Sequence, residues 1–206
     1  MKRLITLATV LFCIGTLAAE ESPDSLIQRM LRNLQEPHSY EVVLAKRDNQ
    51  TPDMRMQITK NGPMFHSRIY LSNKLAGEEI FDGTSRYAIT LSDSSIICTD
   101  KPAPGDANLY LLDLNELELA YMDMTDEASK SRNLRKIGVY DPNENALEPL
   151  IVYSIDPAGP VPVSLWWSAT GQKDIFRNFK FGITPENSEF TLDRTAMKDY
   201  TFQDCR

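Results

Sequence analysis

The sequence predicts an α+β domain built on one large antiparallel sheet. Three observations carry that expectation. Gly77 to Leu91 holds two strand-like runs that meet at Asp82-Gly83, and Asp-Gly is a strong hairpin signal because glycine takes positive φ without strain. After the turn, Tyr87, Ile89 and Leu91 alternate with Arg86, Ala88 and Thr90, the period of a strand with one dry and one wet face. The same alternation recurs on both sides of this hairpin, behind a single amphipathic helix.

The chain has 206 residues, enough for one domain. Residues 1–19 read as a signal peptide. Lys2 and Arg3 precede an apolar run from Leu4 to Leu17, followed by small residues. The run is too short to span a bilayer. Cleavage is expected near Ala18 and Ala19, leaving 20–206 as a single exported, soluble domain in the periplasm. Cys13 follows Phe12, where a lipidation signal needs a small residue, so a lipid anchor is not expected. Loss of Lys2 and Arg3 leaves 20 basic against 29 acidic residues, a net charge of −9. Such an excess argues against nucleic acid and against an anionic membrane surface as partners.

The first mature element is a helix from Asp24 to Gln35. Ser22 or Asp24 can cap it, and Pro23 suits its first turn. Leu26, Ile27, Met30, Leu31 and Leu34 fall at helical spacing. Strands follow, with Tyr40, Val42 and Leu44 on one face, then Met54, Met56 and Ile58, then Phe65, Ile69 and Leu71. Asp100 to Asp106, with two prolines and a glycine, breaks the pattern. A short helix is expected near Ala107 to Asp113, and a polar loop from Asp123 to Arg132. Ile151, Tyr153 and Ile155 then share a face, as do Val163, Leu165 and Trp167. Ile175, Phe179 and Phe181 follow, then Phe190 and Leu192, and Tyr200 to Asp204 reads as a closing edge strand.

Cys98 and Cys205 are the two cysteines of the mature chain. In an exported protein they could pair, and closing a loop of roughly 100 residues would give about 4–5 kcal/mol in the chain-entropy model. The other reading is a buried strand thiol and a free thiol near the chain end.

The order of these pieces resembles the periplasmic lipoprotein carrier family, LolA-like. A helix ends just before Ser39-Tyr40. Lys60, Pro63 and Phe65 follow, then the Asp82-Gly83 hairpin with Tyr87 four residues past its glycine. Asp156, Trp166, Gly171 and Gln172 mark a later strand pair and its turn, and Phe190, Leu192, Asp193, Asp204 and Arg206 mark the end. The resemblance covers nearly the whole mature chain. It implies a strongly curved, unclosed antiparallel β-barrel, a half-barrel, with helices covering its concave apolar face. It also implies a carrier that takes lipoprotein acyl chains or lipid into a hydrophobic cavity. Its partners would be an inner-membrane lipoprotein-releasing complex and an outer-membrane acceptor, and the carrier would be a monomer. The residues expected to line the cavity are Leu31, Val42, Leu44, Met54, Met56, Ile58, Phe65, Ile80, Tyr87, Ile89, Val163, Leu165, Trp167 and Phe179. In the family a basic residue directly before a proline latches the lid. Here the run is Lys60-Asn61-Gly62-Pro63, so Lys60 is the candidate latch, two positions early.

Methionine suits such a surface because it is unbranched and repacks easily, and Met54, Met56 and Met64 fall in adjacent strands. Enzyme signals are thin. His38 and His66 are expected at the surface or at strand ends. No HExxH, GxSxG, CxxC or phosphate-loop pattern occurs. No cofactor, metal site or catalytic residue is expected. The alternative to a carrier is a non-enzymatic domain on the same fold that senses envelope lipid or binds a protein.

Overall fold

The computed structural model describes residues 21–44, 54–100, 119–143 and 148–206. The signal peptide expected at 1–19 and the helix expected at 107–113 lie outside them. Helix α1 spans Pro23–Asn33, with Ser22 as its cap: the Ser22 hydroxyl accepts from the Ser25 amide at 3.2 Å. Its buried stripe is Leu26, Ile27, Met30 and Leu31.

Among the described residues, twelve strands form one sheet. They are β1 His38–Leu44, β2 Met54–Asn61, β3 Met64–Leu71, β4 Lys74–Phe81, β5 Arg86–Thr90 and β6 Ser95–Thr99, then β7 Ala120–Asp123, β8 Arg135–Tyr140, β9 Ile151–Asp156, β10 Val161–Trp167, β11 Gln172–Phe181 and β12 Thr201–Asp204. Their spatial order is β12-β6-β5-β4-β3-β2-β1-β11-β10-β9-β8-β7. The first and last strands do not meet, so the sheet is open. Neighbours run antiparallel except β12, which lies parallel to β6. Register shifts at Ser39/Glu41, Ile69/Tyr70 and Pro162/Ser164 raise the local twist, as bulges do, and help to curve the sheet. The unclosed half-barrel implied by the resemblance is the architecture observed.

Sheet alternation distributes apolar residues to both faces. On the concave face, α1 packs on Tyr40, Val42, Met56, Ile58, Ile137, Val139, Ile151, Tyr153, Ile155, Leu165 and Phe176. On the convex face a second, smaller core joins Ile80, Ile89 and Ile96 to Leu192, with Tyr87, Met197 and Tyr200 against it. The chain after β11 makes this second core: it crosses the sheet through a short 3-10 helix, Asn187–Phe190, and ends in β12.

Two local expectations are corrected. Phe190 and Leu192 are not strand residues. Phe190 closes the 3-10 turn, and both are buried side chains of the crossing segment. The stretch from Asp123 to Arg132 is not an irregular loop. It finishes β7 and forms helix α2, Glu127–Lys130, capped by the Asp126 carboxylate accepting from the Ser129 amide at 2.8 Å. Polar composition hid a capped turn, because a helix of one turn has too few residues for a visible period.

Candidate functional site

The concave face is the candidate site. Val42 is opposite Met56 in β2 and Phe176 in β11, and Tyr40 is opposite Ile58. Met56 is opposite Ile69 of β3, and Met54 is opposite Leu71. In β9 and β10, Tyr153 is opposite Leu165 and Ile151 opposite Trp167. Of the expected cavity residues, Leu31, Val42, Leu44, Met54, Met56, Ile58, Leu165, Trp167 and Phe179 lie together in this cluster. Phe65 points to the same face by alternation but stands apart, against Phe81 with ring centroids 6.0 Å apart.

Four expected residues do not line it. Ile80, Tyr87 and Ile89 belong to the convex core. The register shows why: Phe65, Ser67 and Ile69 on the concave face pair with Phe81, Glu79 and Gly77, so Ile80 and its cross-strand partner Tyr87 face away. Strand by strand, an apolar face looks the same whichever side it lies on. Val163 sits at the Pro162/Ser164 register shift, half-buried and outside the cluster, because Pro162 takes the inward place opposite Ile155. Met64, next to Phe65, also points to the convex side.

The apolar surface outruns its helix. Past the part that α1 covers, Ile69 borders a shallow pocket of ≈ 210 Å³ with Ala76, Gly77, Glu78, Glu79, Ala88, Ile89 and Thr90, so Ile89, whose side chain joins the convex core, still borders this pocket. Leu71 and Ile97, inward by register, are 39% and 41% exposed. Gly77 makes room here. A β-carbon on it would lie 2.6 Å from the Ile89 carbonyl oxygen.

Polar groups sit in this face too. Asp174 is 1% exposed and accepts from Trp167 Nε1 at 2.7 Å. Burial pushes its carboxyl up, while the bonds from Trp167 and Gln172 pull it down. His38 stands at a strand end, as the first residue of β1, and His66 lies within β3; neither is at the surface, and both are buried. His38 lies among Tyr40, Phe179 and Phe181, with Nδ1 2.7 Å from the Glu36 carbonyl oxygen, and burial lowers its pKa. Lys60 is directly opposite His38, at the end of the face away from the pocket. His66 is on the convex face, with Nε2 2.6 Å from Glu78 Oε2.

Helix α1 is tied down by groups that periodicity could not reveal. Arg29 donates to the Pro157 carbonyl at 2.9 Å and Asn33 to the Pro160 carbonyl at 3.3 Å, so both reach the β9–β10 turn. Glu21 pairs with Arg29 at 2.6 Å. The signal available in the sequence was the spacing of four between Arg29 and Asn33, which puts both on one side of the helix. Cys98 is buried, Cys205 is exposed, and both are free thiols. The Cys205 amide bonds the Cys98 carbonyl at 2.9 Å, but Asp204 is the residue in register with Cys98, so alternation turns Cys205 away. Among the described residues no three His, Cys, Asp or Glu are grouped to hold a metal, and no helix is long and apolar enough to cross a membrane.

Fold and site together define a half-barrel with a helix-covered apolar face. No protein-family model and no curated protein matches the sequence. Among solved structures, an uncharacterized conserved protein from Thermus thermophilus shares the fold, with a TM-score of 0.58 at 10% identity over 89% of this chain and 99% of its own. A LolA superfamily protein from Nitrosomonas europaea gives 0.46 at 12% identity over 84% of this chain and 99% of its own. A domain named for outer membrane lipoprotein sorting, from Vibrio parahaemolyticus, gives 0.39 at 9% identity over 86% and 100%. Both of the latter values are below 0.5, so likeness of fold rests on the Thermus structure.

Proposed function

We propose that the protein is a non-enzymatic periplasmic carrier that binds the acyl chains of lipoproteins and moves them from the inner to the outer membrane. The supporting observation is the mismatch between the concave apolar face and its cover: α1 spans one part, while Leu71, Ile97 and the pocket at Ile69 continue past it. Burying apolar surface is worth about 25 cal/mol per Å², so a partly buried acyl chain would bind by several kcal/mol. The few polar ties of α1 to the Pro157–Pro160 turn suit a cover that lifts. In this reading the protein acts as a monomer and meets a releasing complex at one membrane and an acceptor at the other.

A fluorescent acyl probe and the purified mature chain test this. Ile97→Asp and Leu71→Asp place charge where solvent already reaches, so binding falls while thermal unfolding holds. Ile89→Asp strikes the convex core and lowers stability instead. A wild-type protein that binds no acyl probe, and carries no lipid when isolated from its native envelope, would end the carrier reading. The alternative, a protein-binding domain, draws on a convex row in which Trp166, Val152, Gly138 and Met122 are successive cross-strand partners, with Trp166 and Met122 exposed.

A further inference from the structure

One rim of the concave face carries two cations. Successive cross-strand partners run Phe181, His38, Lys60, Phe65, Phe81, Arg86 from β11 to β5. With strands ~4.8 Å apart, the backbones at Lys60 and Arg86 are separated by about 14 Å, and the Phe65–Phe81 pair lies between them. Glu79 holds Arg86 by one nitrogen only: Nε donates to Glu79 Oε1 at 2.5 Å. Among the described residues, the two terminal nitrogens of this arginine have no partner. Its side chain is three-quarters buried, at 25% exposure. Ser67 is opposite Glu79 on the same face. Its hydroxyl is buried and has no hydrogen-bond partner among the described residues. Glu79 also borders the pocket at Ile69, together with Gly77, Glu78, Ala88 and Thr90. Arg86 thus reaches the pocket's lining through Glu79, and Ser67 lies in the same cross-strand row as Glu79; a guanidinium bound at Nε alone, with its fork open, is a receptor for an oxyanion attached to a hydrocarbon chain. Arginine matches carboxylate and phosphate in two parallel bonds.

We propose that Arg86, oriented by Glu79 and assisted by Ser67, is the head-group end of the acyl site, and that the site selects amphiphiles with an anionic head. This rests on the acyl-binding reading and adds selectivity to it. The chain lies along Ile69, Gly77 and Ala88, and the oxyanion takes the two terminal nitrogens of Arg86. Lys60, farther along the rim, adds long-range attraction, while Glu79 competes with the ligand for the guanidinium.

Displacement of a neutral fluorescent probe by dodecanoate, dodecyl phosphate and dodecanol provides the test. The wild-type protein should bind one or both anions about tenfold more tightly than dodecanol, consistent with charge-assisted bonds. Which anion is preferred identifies the head group. That preference should shrink between 50 and 500 mM salt as the charges are screened. Arg86→Gln should bring the anions down to the affinity of dodecanol measured on the same variant. Glu79→Gln, which removes the competing carboxylate, should tighten anion binding. Equal affinity for all three compounds, or an anion preference that survives Arg86→Gln in a folded variant, overturns the proposal. If none of the three displaces the probe and none binds directly, the acyl-binding reading itself has failed, and this proposal with it. Should Arg86→Gln not fold, the Glu79→Gln arm decides: no gain in anion affinity there counts against the proposal.

Discussion

Trp167 and Asp174 join β10 to β11 inside the concave face, with the indole nitrogen 2.7 Å from the carboxylate. Asp174 is almost fully buried and its carboxyl is pushed up by burial. A raised carboxyl pKa means that the folded state holds the proton more tightly than the unfolded chain. Its contribution to stability is therefore greatest at low pH and is lost as pH rises past the ordinary value of ~3.9 and through the folded one. Asp174→Asn should flatten this dependence while still accepting from Trp167. Asp174→Ala leaves the indole unpartnered and should cost about 1–3 kcal/mol. Urea unfolding of wild type and Asp174→Asn from pH 3 to pH 7.5 reads both effects. A wild type whose pH dependence matches that of Asp174→Asn would contradict the assignment.

Glu78 carries the opposite sign. The hydrogen bond from His66 holds its carboxyl below the usual range. A lowered carboxyl pKa adds stability above the unfolded value of 4.5 that is lost as pH falls through the folded value. Glu78→Gln should therefore lower stability at pH 5.5 and erase part of the acid dependence below about 4.5. Chemical unfolding at pH 5.5 and 3.5 compares the two chains. Parallel curves for both would show that Glu78 does not titrate as described.

Gly77 is fixed by contact, not by φ. A methyl group there would meet the Ile89 carbonyl oxygen at 2.6 Å, and a backbone atom within the β4–β5 ladder cannot step aside cheaply. Gly77→Ala should cost about 1–3 kcal/mol, as overpacking does. Gly159→Ala, with nothing within 4 Å, should be neutral or stabilise by up to about 1 kcal/mol. Equal effects from the two changes would remove the steric argument.

Arg29 governs how firmly α1 is held. Removing its bond to the Pro157 carbonyl should free the helix without touching the apolar stripe. Arg29→Ala should raise both entry and exit rates of an acyl probe by several-fold, with a modest change in affinity. Stopped-flow mixing measures the rates. Unchanged rates with normal binding would mean that α1 does not gate the face.

The thiols should differ in reactivity. Burial raises the Cys98 pKa, whereas Cys205 is exposed. A thiol reagent should label Cys205 rapidly in the folded protein and Cys98 only after denaturation. Rapid labelling of neither, followed by labelling of both on reduction, would instead reveal a disulfide.

Local rules in the sequence were enough to place the helix and the Asp82-Gly83 hairpin, while the β7–β8 hairpin was not legible. Ser22 and Pro23 start α1 at the expected turn, Asp82-Gly83 turns β4 into β5, and alternation identifies Tyr40, Val42 and Leu44 as one face. Those signals are short-range, so they survive without knowledge of the rest of the chain. Which side of the sheet each apolar face joins is not a local property. Ile80, Tyr87 and Ile89 alternate as cleanly as Met54, Met56 and Ile58, yet they face the other way. Leu192, Met197 and Tyr200 arrive from more than a hundred residues later to bury them. The bulge that turns Val163 out of line, the Arg29 and Asn33 ties to a distant turn, and the open fork of Arg86 likewise depend on neighbours far apart in sequence. Tertiary structure decided them because burial and hydrogen bonding are satisfied by whatever the sheet brings alongside, and a strand's own period does not say which of its two sides that will be.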